Sequence, residues 1–123
     1  ARYNNERDIK IFGLLPQGEN SLHQSIRHLM PYKSRDHIFK DKYFKLDNNK
    51  VCKTITAHMA FDCNMYIHPT QARGLTPREA ARVQSFPDNF EFIGPYTKWF
   101  EQIGNAVPPL LAENIGKAIL KVL

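Results

Sequence analysis

Apolar positions along this chain recur with several different rhythms, and each predicts a different kind of element. In residues 21–30, Leu22, Ile26, Leu29 and Met30 fall at helical spacing, with Asn20 or Ser21 placed to cap the run and Pro31 to end it. That pattern predicts a short amphipathic helix. Residues 42–46, 51–57 and 64–68 are rich in β-branched and aromatic side chains, and Asp47-Asn48-Asn49 supplies turn chemistry between the first two. They predict a small antiparallel sheet. Residues 2–20 show no clear period and contain Pro16 and Gly18, which predicts a loop or an incoming connection.

The second half carries clearer start and stop signals. Thr76 and Glu79 have the spacing of a capping box, and Pro77 occupies the first helical position that tolerates proline, so a helix is expected over residues 77–84. Phe86 precedes Pro87 and is pushed out of helical geometry, ending the element before Asp88-Asn89. Tyr96, Trp99, Phe100 and Ile103 then share one helical face, with Gly104 where a left-handed C-terminal cap is wanted. Asn105 is placed to cap a following helix with Pro108 and Pro109 in its first turn. Along that helix Leu111, Ile115, Ala118, Ile119 and Val122 form an apolar stripe, which either packs on the local core or docks on another domain. The fold class these signals predict is α+β: a small antiparallel sheet, several short helices and a C-terminal helix that can serve an absent domain.

With 123 residues and two cysteines, the chain suits one domain of ordinary size, without a disulfide framework or a four-cysteine zinc site. Residues 1–10 are charged, and the apolar runs fall far short of the roughly 20 residues that cross a bilayer. A soluble protein in a reducing, cytoplasmic setting is the expectation. Charge sharpens the picture. Residues 1–60 hold eleven Lys or Arg against six Asp or Glu, whereas residues 61–123 hold six of each. Arg27, Lys33, Arg35, Lys40, Lys42, Lys45, Lys50 and Lys53 are interleaved with Tyr32, Phe39, Tyr43 and Phe44. That mixture fits either a solvated basic face or a surface for a phosphate backbone.

The block in residues 73–88, Arg-Gly-Leu-Thr-Pro-Arg-Glu-Ala-Ala-Arg-Val-Gln-Ser-Phe-Pro-Asp, is followed by Gln-Ile-Gly-Asn-Ala-Val-Pro-Pro in residues 102–109. In that order they resemble the ninth and tenth blocks of the DNA cytosine-5 methyltransferases. Residues 53–57 and 66–69 are similar to the end of the family's target-recognition region. The resemblance implies a target-recognition domain in residues 1–95 and a segment, 96–123, that returns to the catalytic domain. It further implies duplex DNA as a partner, with Thr54 contacting a phosphate and Lys53, Lys50, Lys45 and Arg35 on the same interface. A strand threonine valued for its β-branch is the other reading of Thr54. Asn105, Ala106 and Val107 resemble the residues beside S-adenosylmethionine, although capping alone would justify Asn105. Thr76, Arg78, Glu79 and Arg82 are expected to be structural, the charged ones as internal ion pairs.

Cytosine-5 transfer needs a thiolate nucleophile, a carboxylic acid and a bound methyl donor. Cys52 lies between Val and Lys, and Cys63 between Asp and Asn; neither has the family's Pro-Cys-Gln context. No two of the six glycines have the Phe-x-Gly-x-Gly spacing, no Glu-Asn-Val triplet occurs, and the five histidines lack a metal spacing. The expectation is therefore a part of an enzyme that contains no catalytic residue of its own, binds no metal, and takes S-adenosylmethionine only with an N-terminal catalytic partner. The alternative is a free-standing DNA-binding module derived from such an enzyme.

Overall fold

A computed structural model of the chain describes residues 3–30 and 40–123. Pro31, Tyr32, Lys33, Arg35 and Phe39 lie outside the described residues. The chain divides into two compact units, Ala1–Thr54 with Asp62–Thr76, and Ile55–Phe61 with Pro77–Leu123.

The first unit begins with a helix, α1 (Glu6–Leu14), where a loop was expected. Asn5 caps it, its side-chain oxygen accepting from the Asp8 amide at 2.8 Å, and Glu6 and Asp8 place negative charge at the positive end of the helix dipole. Asp8, Ile11, Phe12 and Leu15 share one buried face at helical spacing. That face joins Ile26, Met30, Tyr43 and Ile67 in the core. The Tyr43 hydroxyl donates to Asp8 Oδ1 at 2.8 Å inside this core, and the Lys45 ammonium donates to the Phe12 carbonyl at 2.9 Å.

The expected antiparallel sheet does not form among the described residues. Only isolated bridges occur: Asn20 with Phe44 and Ile67 with Gly74, both antiparallel, and Lys45 with Ile67, parallel. The Asp47 turn is present, closed by the bond from Lys50 N to Asp47 O at 3.2 Å. It does not make a hairpin, because Leu46 N donates to Ile67 O and Lys45 N to Glu19 O. Residues 51–57 join no bridge among the described residues; Val51 is 97% exposed, whereas Ile55, which a strand would place on the same face, is buried.

The helix expected over residues 21–30 is likewise replaced by successive turns ending in a single 3-10 turn, Arg27–Leu29. His23, Ile26, Arg27, Leu29 and Met30 all donate to the carbonyl three residues back. Asn20 Oδ1 accepts from Leu22 N, and His23 Nδ1 from Ser25 N, so side chains compete with helical bonds at the start.

In the second unit, α2 (Pro77–Val83) starts at the expected proline, followed by α3 (Tyr96–Asn105) and α4 (Pro109–Leu120). Both α2 and a 3-10 turn, Ala57–Ala60, pack on α3. Gly104 lies inside α3 and is not the left-handed cap expected of it; only Gly18 and Gly94 among the described glycines have positive φ. Its need for glycine is steric. A Cβ there would stand 2.8 Å from the Thr56 carbonyl oxygen. Asn105 correspondingly closes α3, and Pro108 takes the N-cap position of α4 in its place. No residue of α4 is buried.

Candidate functional site

In the first unit, the residues expected at a DNA interface have different surroundings. Thr54 is exposed; its carbonyl accepts from the Tyr66 hydroxyl at 3.0 Å, and its own hydroxyl has no partner among the described residues. Beside it, Lys53 sits over the Phe44 ring at 4.7 Å. Lys50 approaches Asp47 at 3.6 Å with its side chain 74% exposed. Lys45 is different: it is buried, its ammonium caps the C-terminal end of α1, and burial pulls its pKa down. In this arrangement it presents no charge to a phosphate. Arg35 lies outside the described residues.

Two arginines one turn apart on α2 clasp the loop that follows it. Arg82 forms a forked ion pair with Asp88, Nε to Oδ1 at 2.8 Å and Nη2 to Oδ2 at 3.1 Å. These bonds hold the Asp88 carboxyl below the usual carboxylate range. Arg78 donates to the Phe90 carbonyl at 3.0 Å and lies over the Phe92 ring, with no ion pair among the described residues. Phe86, Phe90 and Phe92 pack edge and tilt against one another, and Phe92 continues to Trp99. Thr76 directly precedes α2, and Glu79 lies in its first turn, where a carboxylate complements the dipole.

The junction of α3 and α4 is built by two residues not anticipated from the sequence. Gln84 is 4% exposed, and its Nε2 donates to the carbonyls of Ile103, at 3.0 Å, and Ala106, at 3.3 Å. The adjacent Ser85 accepts from the Leu110 amide at 3.1 Å. Asn105, Ala106 and Val107 are thereby held between two anchors. The Asn105 side chain is exposed with no partner among the described residues, and Val107 is 61% exposed. The junction thus exposes a carboxamide without a partner among the described residues and, two positions on, an apolar isopropyl group. The available signal was a buried-type pattern broken by polar Gln84 and Ser85 at the end of α2, which periodicity alone reads as a helix end.

The Cys52 thiol has no activating environment. Burial pushes the Cys52 thiol up, only partly offset by Lys53, whereas a nucleophile needs its pKa lowered. Cys63 is buried. Among the described residues no group of His, Cys, Asp and Glu could hold a metal ion, and no helix is long and apolar enough to cross a membrane.

The family model for C-5 cytosine-specific DNA methylases matches residues 5–121. Type II methyltransferase M.Bpa9945I of Bacillus paralicheniformis is 38% identical over 131 residues, covering 100% of this chain and 29% of the relative. Type II methyltransferase M.DdeI of Desulfomicrobium norvegicum is 35% identical over 132 residues, covering 97% of this chain and 31% of the relative. Type II methyltransferase M.AgeI of Thalassovita gelatinovora is 47% identical over 81 residues, 66% of this chain and 19% of its own length. The chain therefore spans less than a third of the length of these relatives. With that match across most of its residues, the chain belongs to the C-5 cytosine-specific DNA methylase family.

Proposed function

We propose that this chain is the C-terminal target-recognition part of a DNA (cytosine-5)-methyltransferase, transferring methyl to cytosine C5 in duplex DNA when joined to an N-terminal catalytic part. The observation that carries this reading is α4. Leu110, Leu111, Ile115, Ile119 and Leu120 are 59%, 51%, 49%, 51% and 72% exposed, and a twelve-residue helix with an unburied apolar face requires a partner surface. The catalytic part supplies that surface. Residues 1–95 carry the recognition region, with Ile55–Phe61 and residues 77–95 grouped alongside the return segment 96–123.

Thr54, Lys53 and Lys50 serve the DNA backbone in this reading: a free hydroxyl and two ammonium groups within five residues suit phosphate oxygens. Asn105, Ala106 and Val107 form one wall of the methyl-donor pocket. A carboxamide with open hydrogen-bonding capacity beside an apolar side chain suits the polar and apolar parts of S-adenosylmethionine, which supplies the methyl group when bound. The chain carries no Pro-Cys-Gln nucleophile and no cofactor loop, and burial raises rather than lowers the Cys52 thiol, so it does not transfer methyl alone. Mixing the chain with the N-terminal part of the same methyltransferase and measuring methyl transfer to DNA tests this. Activity in the mixture and in neither part alone supports it; an inactive mixture counts against it.

The excess of Lys and Arg in residues 1–60 favours a second reading, a stand-alone DNA-binding module. Salt-titrated binding separates the two. Tight, site-specific binding by the chain without any partner supports the module.

A further inference from the structure

We propose that Gln84 and Ser85 are positioning residues that jointly set the α3–α4 turn, and through it the presentation of Asn105 and Val107 to the methyl donor. This rests on the reading of residues 105–107 as part of the donor pocket.

The clamp arises from how α2 ends. Ser85 N donates to Arg82 O at 2.9 Å and Phe86 N to Ala81 O at 2.9 Å, the paired bonds of a Schellman motif with Ser85 at the left-handed position. Glycine is the ordinary occupant there, because a Cβ in the left-handed region costs about 1–2 kcal/mol. Ser85 has φ of 63°, and it is the only non-glycine residue with positive φ among the described residues. Strain of this kind persists where the side chain has a use. Here the hydroxyl accepts from Leu110 N, the first amide of α4 available to it, since Pro108 gives no side-chain cap and Pro109 has no N–H.

Gln84 acts at the other helix. The last carbonyls of α3 run out of regular i+4 donors, and Ile103 O accepts a bond from Ala106 N at 3.3 Å that leaves it room for a second donor. One buried carboxamide reaches both Ile103 O and Ala106 O, satisfying its own NH2 group in the same contacts. Two consecutive side chains therefore join the ends of three helices. The segment between their contacts, residues 105–107, makes no side-chain hydrogen bond of its own among the described residues, so beyond the end of α3 at Asn105 its course depends on Gln84 and Ser85.

Ser85→Gly is the informative variant, because it relieves backbone strain while deleting the hydroxyl. A merely structural role predicts a chain no less stable and a donor site unchanged. The clamp predicts that melting is unchanged or raised, that exchange of the Leu110 amide in the 123-residue chain accelerates about fivefold to tenfold, and that S-adenosylhomocysteine binds the reassembled enzyme about fivefold to tenfold more weakly by calorimetry. Gln84→Glu, which keeps the shape and removes the donors, should weaken the same binding at least as much. Unchanged Leu110 exchange in Ser85→Gly overturns the clamp itself. Faster exchange with undiminished binding overturns the link to the donor. Failure of the wild-type assembly to bind S-adenosylhomocysteine, with the exchange effect intact, overturns the pocket reading and the positioning role with it.

Discussion

Gly104 approaches Thr56 so closely that a methyl group on its Cα would stand 2.8 Å from the Thr56 carbonyl oxygen and 3.2 Å from the Ala57 Cα. Both obstacles are backbone, so neither can swing aside. Gly104→Ala should therefore destabilise the chain by about 1–2 kcal/mol, overpacking outweighing the roughly 1 kcal/mol that alanine gains as a helix former. Gly116, in α4, has no atom within 4 Å of the corresponding position, and Gly116→Ala should stabilise by up to about 1 kcal/mol. Urea titrations of the two variants should shift their midpoints in opposite directions.

Tyr43 predicts an alkaline limit to stability. Burial, reinforced by the hydrogen bond to Asp8 and its charge, raises the phenol well above its ordinary value of 10.0. Because the folded value lies above the unfolded one, the contribution is complete below pH 10 and is lost as pH climbs through the folded value. Lys45 pulls the other way, since its folded pKa is lowered and its contribution falls away as pH drops through that value. Tyr43→Phe should cost about 1 kcal/mol near pH 7, from the lost bond to Asp8. It should also flatten the fall in unfolding free energy above about pH 10. Equal alkaline slopes in variant and wild type would contradict this.

The lysines of the first unit should separate by salt dependence. In the reassembled enzyme, Lys53→Ala should lower the slope of log binding constant against log salt by about one, as expected for one phosphate contact. Lys45→Met should leave that slope unchanged while destabilising the chain by about 1–3 kcal/mol, because the Phe12 carbonyl loses its buried donor. Filter binding over a range of salt, paired with urea unfolding, reads both.

The exposed face of α4 should tolerate charge in the chain and not in the assembly. Ile115→Asp and Ile119→Asp replace side chains 49% and 51% exposed, so each should change the stability of the chain by no more than about 0.5 kcal/mol. Each should abolish methyl transfer on mixing with the N-terminal part. Restored activity in either variant would place the partner surface elsewhere.

Helix positions in the second half were legible because their signals are local. Pro77 at the start of α2 and the aromatic face of Tyr96, Phe100 and Ile103 in α3 require no knowledge of distant residues. The first unit was harder. The Asn5 cap and the Asp8, Ile11, Phe12, Leu15 face of α1 are present in the sequence, but the buried member at position 8 is an aspartate, which a search for apolar periodicity passes over. Its burial makes sense only with Tyr43, thirty-five residues away, as its partner. Apolar composition in residues 42–46 and 64–68 read as strands because β-propensity measures burial on a pleated face, and here it is satisfied by a few bridges around a core.

By itself the sequence determined the family, through two ordered blocks whose residue types need no coordinates to compare, and the placement of helices whose caps and apolar faces lie within a few residues of one another. Tertiary structure alone decided that Gln84 and Ser85 tie those blocks together, that Gly104 is there for a close approach rather than a turn, and that Lys45 points inward. The reason is physical: caps and periodicity are set by neighbours along the chain, whereas a buried carboxamide, a missing Cβ or a desolvated ammonium is explained only by atoms brought near it in folding.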